Sequence, residues 1–195
     1  MELLIVIAII AVLATIGTQV GSKAINNARK MQSLADVTNI CGAIEGLKAD
    51  NNGVYPNIAG GGTTVNVNAG DTGIALAGGG AAGNLVAALL GDDTVSGVGG
   101  DPINGRGSSY LEAPQAKGDG RGGVDIGGTH SFTDYWGNAY QVIWDSDYDD
   151  KIDNPLDAGE PAIRRGVIAL GQGTSEDDLS GTLSSKDKLG VVTSW

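Results

Sequence analysis

The chain opens MELLIVIAIIAVLATIGTQV (residues 1–20). Residues 3–14 carry no polar side chain, and apolar character resumes at Ile16 after Thr15. A single carboxylate, Glu2, stands at the outer end of the run. These 12 consecutive apolar residues fall short of the roughly 20 that a bilayer-spanning helix needs. The expectation is that other protein covers the stretch, or that it continues on the N-terminal side of Met1. A secretory signal peptide fits poorly, because no Lys or Arg precedes Lys23. A plain anchor has no use for Glu2, since a charge at membrane depth is costly and marks function.

Beyond the run, Val20, Ala24, Ala28, Met31, Leu34/Ala35, Cys41, Ile44 and Leu47 recur at three- and four-residue steps, with one longer gap before Cys41. That spacing predicts an amphipathic helix. Lys23, Arg29, Lys30, Asp36 and Glu45 fall largely off the stripe. The helix is expected to stop in Asp50-Asn51-Asn52-Gly53, where Asn and Gly tolerate a left-handed cap. Residues 1–53 thus read as one long helix, with a hydrophobic assembly or membrane segment (1–22) and an amphipathic half (23–53). Gly17 and Gly21 form a small-xxx-small pair that admits a close neighbour. Each also weakens the helix by about 1 kcal/mol relative to Ala. Residues 15–22 are therefore its expected flexible point.

Glu2 followed by Leu3, Leu4, Ile5, Val6, Ile7, Ala8, Ile9, Ile10 and Ala11 resembles the N-terminus of type IV pilins and type II secretion pseudopilins. The Phe-Thr-Leu and basic leader that precede the Glu in that family are not part of this sequence, and Met1 takes the variable place. The resemblance implies a pilin fold, a membrane-inserted precursor trimmed by a prepilin peptidase, and inner-membrane assembly machinery. It implies a homo-oligomer in a helical filament, extracellular or spanning the periplasm. Leu3, Leu4, Ile5, Val6, Ile7, Ile9 and Ile10 would pack in the filament core. Glu2 would compensate the N-terminal amine of an adjacent subunit, which sets register because an unpaired buried carboxylate is costly.

Composition bounds the remainder. The 195 residues suffice for one domain and a long stem. Residues 1–50 hold four basic and four acidic groups, so the whole net charge of −11 falls on residues 51–195. An acidic head repels nucleic acid and favours cations, so direct nucleic-acid binding is not expected. Cys41 is the single cysteine, which rules out an intrachain disulfide.

Residues 54–195 read as a globular head. Val54-Tyr55-Pro56 ends any helical continuation. Glycine is dense from there to residue 130. Within a loop region 57–129, residues 63–68 alternate as a short strand and residues 84–90 read as a short helix closed by Gly91. The rest of that region is expected to be loop. Gly78, Gly80 and Gly83 satisfy G-x-G-x-x-G, but the acid at the right distance, Asp101, lies in a turn, so a dinucleotide site is not expected. The single histidine, His130, sits in a loop, and neither a Gly-x-Ser-x-Gly elbow nor a His-Glu-x-x-His helix occurs. No catalytic constellation emerges, and the chain reads as non-enzymatic.

The region 130–195 is the expected sheet. Asp134-Tyr135-Trp136-Gly137-Asn138-Ala139-Tyr140 resembles the Asp-Pro-Trp-Gly-Asn-Pro-Tyr signature of G-type pseudopilins, with both prolines replaced. Gly137-Asn138 predicts a turn into a strand through Tyr140, Val142 and Trp144. Trp136 is the expected plug between sheet and helix. Residues 164–171 (RRGVIALG) predict another strand, and residues 191–195 a closing segment against the sheet. The fold class is α+β, a long N-terminal helix with a small antiparallel sheet.

After the strand comes Asp145-Ser146-Asp147-Tyr148-Asp149-Asp150-Lys151-Ile152-Asp153. Carboxylates at positions one, three, five and nine with a carbonyl at seven follow the ligand spacing of a calcium loop. Asp150 replaces the turning Gly, and Leu156 the twelfth-position Glu. Two readings stand: calcium held by Asp145, Asp147, Asp149, Lys151 and Asp153, or a solvated acidic turn. For the whole chain, the alternative to a filament subunit is a membrane-anchored, calcium-dependent adhesion protein.

Overall fold

The computed structural model describes residues 2–58, 71–156, 161–173 and 192–195, and for residues 2–4, 8, 14, 16–20 and 192 the backbone alone. The strand expected at 63–68 lies outside the described residues. Two compact units are formed, Met1–Gln32 and Ser33–Trp195.

The first helix, α1, runs unbroken over Glu2–Asp50. It passes through Gly17 and Gly21 without a break, and a side chain added at Gly21 would meet nothing. The hydroxyls of Thr15 and Thr38 donate to the carbonyls four residues back, Ala11 O and Leu34 O, each at 2.8 Å. Neither hydroxyl therefore competes with the helix for its amides. The helix closes as expected: Asn52 and Gly53 take φ of 58° and 82°, and Gly53 N–H donates to Lys48 O.

In the second unit, α1 buries Ser33, Asp36, Val37, Ile40, Ala43, Ile44 and Leu47. This corrects the expected stripe. Met31 and Leu34 are exposed, and Asp36, placed off the stripe, lies on it. Asp36 can be buried there because the Tyr140 hydroxyl donates to its carboxylate at 2.8 Å. A charge-assisted bond of this kind offsets the loss of water. Burial pushes the Tyr140 phenol far above its ordinary range, so it keeps the proton it donates.

Four antiparallel strands make the sheet, in the order β1–β4–β5–β6: β1 Asp71–Ala75, β4 Gln141–Asp145, β5 Val167–Gly171 and β6 Val192–Thr193. A separate pair joins β2 (Gly123–Val124) to β3 (Phe132–Thr133). Helix α2 covers Gly80–Leu89. The loop expectation for 57–129 is thus corrected at both ends, since β1 and β2 lie inside it. One sheet face, with Ile74, Val142, Trp144, Val167 and Ala169, joins a single core with Ile40, Ile44 and Leu47 of α1 and Leu85, Val86 and Leu89 of α2. Ile143, Ile168 and Leu170 point the other way, where Ile152, Ile163, Leu156 and Trp195 cover them. With both faces covered, β4 and β5 are buried throughout.

Trp136 is only half-buried. The large buried rings are instead Trp144, Tyr140 and Phe132, the last two edge to face at 4.9 Å. What the Asp134 segment supplies is a knot. Asp134 is fully buried, and its Oδ1 accepts the N–H groups of Trp136 and Asn138 at 2.9 Å. Its Oδ2 accepts Gly173 N–H at 3.0 Å, and Asn138 Nδ2 returns a bond to Gly173 O.

Candidate functional site

The acidic loop is set by strand register. Antiparallel pairing of β1 with β4 puts Asp71 directly opposite Asp145. Like charges opposite one another in a ladder are destabilising. Asp147 then turns back from the loop, so that one oxygen from each of Asp71, Asp145 and Asp147 lies within 4.8 Å of the others. Asp145 is buried and accepts N–H from Asp149 at 3.2 Å on Oδ1 and from Asp150 at 2.9 Å on Oδ2. Those amides can point inward because Tyr148 and Asp150 hold φ near 60°. Asp150 so adopts the conformation glycine favours at that place in a calcium loop.

The loop is tied to the end of α1. The Tyr148 ring stacks on Tyr55 with centroids 5.8 Å apart, and its hydroxyl accepts Tyr55 N–H at 3.1 Å. The Lys48 ammonium sits 3.9 Å from the Tyr55 ring centroid, a cation–π contact.

Asp71 carries the chemical tension of the site. Its Oδ1 is buried and has no hydrogen-bond partner. Burial raises its pKa from 3.8 to about 6; the Asp153 backbone N–H opposes the rise, and the charges of Asp147, Asp145 and Asp153 add to it. Asp147 is also raised, by desolvation and by its contact with Asp145. A divalent cation relieves such a group by supplying the positive charge that the fold withholds.

Of the five residues singled out in the loop, the structure brings Asp145 and Asp147 into this group. Asp149 and Lys151 pair with each other instead, Lys151 N–H donating at 2.9 Å and its ammonium lying 3.4 Å from Oδ2. Asp153 contributes its N–H to Asp71. Asp71 itself was missed, because only a strand pairing across many intervening residues makes it a neighbour.

On α1, the side chains of Glu2, Leu3, Leu4 and Gly17 lie outside the described residues. Ile5, Val6, Ile7, Ile9, Ile10, Val12 and Leu13 are all exposed, from 50% for Ile7 to 63% for Leu13. Among the described residues, no helix is long and apolar enough to cross a membrane. Cys41 is free and half-buried; burial pushes its thiol up, and its Sγ lies 3.4 Å from Ser194 Oγ.

In the G-x-G-x-x-G motif, Gly78 and Gly83 serve close packing. Side chains at Gly78 and Gly83 would collide with Thr129, and Gly79 N–H donates to Thr129 O. Thr129 thus fills the space beside Gly78 and Gly83, and its carbonyl takes the Gly79 N–H. Compared with family models, with curated proteins and with solved structures, the chain matches none.

Proposed function

We propose that the chain is a non-enzymatic structural subunit, with a pilin arrangement of helical stem and sheet-bearing head, that polymerises through α1 into a pilus or type II secretion pseudopilus. The observation that carries this reading is the set of exposed aliphatic side chains Ile5, Val6, Ile7, Ile9, Ile10, Val12 and Leu13. A helix that is apolar all round is a buried helix. Covering each such side chain gains about 1.5–3 kcal/mol, so the run supplies a large drive to associate. The Glu2-Leu3-Leu4-Ile5 motif favours copies of the same helix as the cover. The resemblance adds the inner membrane, a prepilin peptidase and the assembly machinery as partners before polymerisation. Replacing Glu2 with Ala should leave the head folded and abolish or strongly slow incorporation into filaments. Quantifying polymer sheared from cells checks this, and wild-type yields from E2A would remove the assigned role.

We further propose that Asp71, Asp145 and Asp147 hold calcium. The orphaned Asp71 oxygen supports a cation, and three carboxylates offer hard oxygen ligands. Without a bidentate Glu, the affinity belongs with extracellular modules, roughly 10⁻⁴–10⁻³ M. At ten times the dissociation constant, calcium should stabilise the head by about 1.4 kcal/mol.

The sign of the proton linkage gives a sharper test. The folded state binds the Asp71 proton more tightly than the unfolded state, near pH 6 against 3.8. Stability from this group is full below pH 3.8 and is lost as pH rises through about 6. Calcium competes with that proton, so its affinity should climb between pH 5 and pH 7. Asp71→Asn should melt higher than wild type in chelator at pH 7, and should not respond to millimolar calcium. A calcium-induced shift equal in wild type and D71N would leave the solvated-turn reading in place.

A further inference from the structure

A second surface of the head lies where α1 ends. A hollow of about 530 Å³ is lined by Asp50, Asn52, Val54, Asn57, Val98 and Asp101, among others. Its walls are fixed: Asn51 Nδ2 donates to Ile103 O at 3.1 Å, Val98 N–H to Asn57 O at 2.9 Å and Gly97 N–H to Asp101 O at 2.8 Å. A side chain at Gly97 would strike Asn57 O, so glycine there lets the walls close. Val54 and Val98 present apolar surface at the rim, 55% and 39% exposed. No basic residue lines the hollow among the described residues. Asp50 is engaged by Arg106 and Tyr110, whereas Asp101 is exposed. The negative end of the α1 dipole adds to the same potential.

The complement is present in the same sequence. Between Glu2 and Asp36 there is no acid, and residues 23–31 (KAINNARKM) carry Lys23, Arg29 and Lys30. In a chain of net charge −11 this is the stretch where three basic groups stand without an acid among them. It also displays Ile25 and Met31, 55% and 65% exposed. Cations and two apolar side chains thus match Asp101, the helix end and two apolar rim residues.

We propose that the hollow at the end of α1 receives residues 23–31 of a second copy of this chain. Ile25 and Met31 meet Val54 and Val98, and the basic groups face Asp101 and the helix end. The inference rests on the filament reading and extends it. Two different patches that fit each other make a head-to-tail contact, which propagates as an open helical polymer when the rotation does not close. The contact gives the polymer a direction that the apolar run alone does not specify. Its electrostatic part weakens with salt.

The test uses the full chain in polymerisation assays. Asp101→Lys alone, and Lys23→Glu with Lys30→Glu, should each lower polymer yield several-fold while circular dichroism stays unchanged. Combining all three should restore most of the yield. In a Cys41→Ser background, Val98→Cys on one copy and Met31→Cys on another should form a disulfide-linked dimer within the polymer. Charge-reversed chains that polymerise like wild type, or a combination no better than its parts, overturn the contact. So does polymer that forms without the cross-link. A wild-type chain that stays monomeric removes the filament reading, and this contact with it.

Discussion

Replacing Trp144 with Ala should cost the head about 3–5 kcal/mol, because it is the largest fully buried side chain among the described residues. Trp144 is 1% exposed on the face of β4 that shares a core with α1 and α2. Its neighbours along the strand, Ile143 and Asp145, cannot turn to fill the hole because they serve the opposite face and the acidic loop. Domains of this size are stable by only about 5–15 kcal/mol, so W144A should unfold at much lower denaturant, with an unchanged slope. The matched control is Trp136→Ala. Its half-buried ring should cost about 1 kcal/mol, in the range of ordinary substitutions. Equal losses from the two would contradict the account of which tryptophan holds the sheet. Circular dichroism through a urea series reads both.

The second large effect is at Asp134. Its carboxylate accepts three backbone N–H groups, from Trp136, Asn138 and Gly173. Alanine there strands all three. The Gly173 bond is buried and the other two are half-buried; a stranded buried donor costs about 1–3 kcal/mol, so a loss of that order should follow. Asp134→Asn keeps one carbonyl oxygen and should lose distinctly less. The bond to Gly173 also anchors the exit of β5, so D134A should speed amide exchange around Gly171–Gly173 before global unfolding. A D134A protein as stable as wild type would show that water replaces the carboxylate at no cost, and the knot would carry no weight.

How much of this was legible in the sequence depended on how local each signal was. The long helix, its Asn-Gly stop and the strand through Tyr140, Val142 and Trp144 were readable because periodicity and turn residues sit within a few positions of one another. The buried stripe of α1 was misread at Met31, Leu34 and Asp36. Side-chain type argued for the first two and against the third, but the Tyr140 hydroxyl makes the Asp36 carboxylate acceptable in the core. β1 was hidden because DTGIA carries only a brief apolar signal amid glycines. The candidate cation site was half legible for the same reason. Asp145 and Asp147 stand in the loop motif, whereas Asp71 joins them only through the β1–β4 register. Trp136 stands in a signature that is conspicuous in sequence, whereas the burial of both faces of β4 that hides Trp144 leaves no local mark.

In the proposed filament, the exposed apolar side chains of α1 form the polymer core. Electron microscopy of filaments from cells producing the full chain, with side chains read from the density, tests it most directly. Ile5–Leu13 of neighbouring copies should pack together at the filament centre, with the Glu2 carboxylate in ion-pair contact with the N-terminal amine of an adjacent copy. Filaments that contain the chain but leave these residues facing solvent, or a chain that is found only as a monomer, would contradict it.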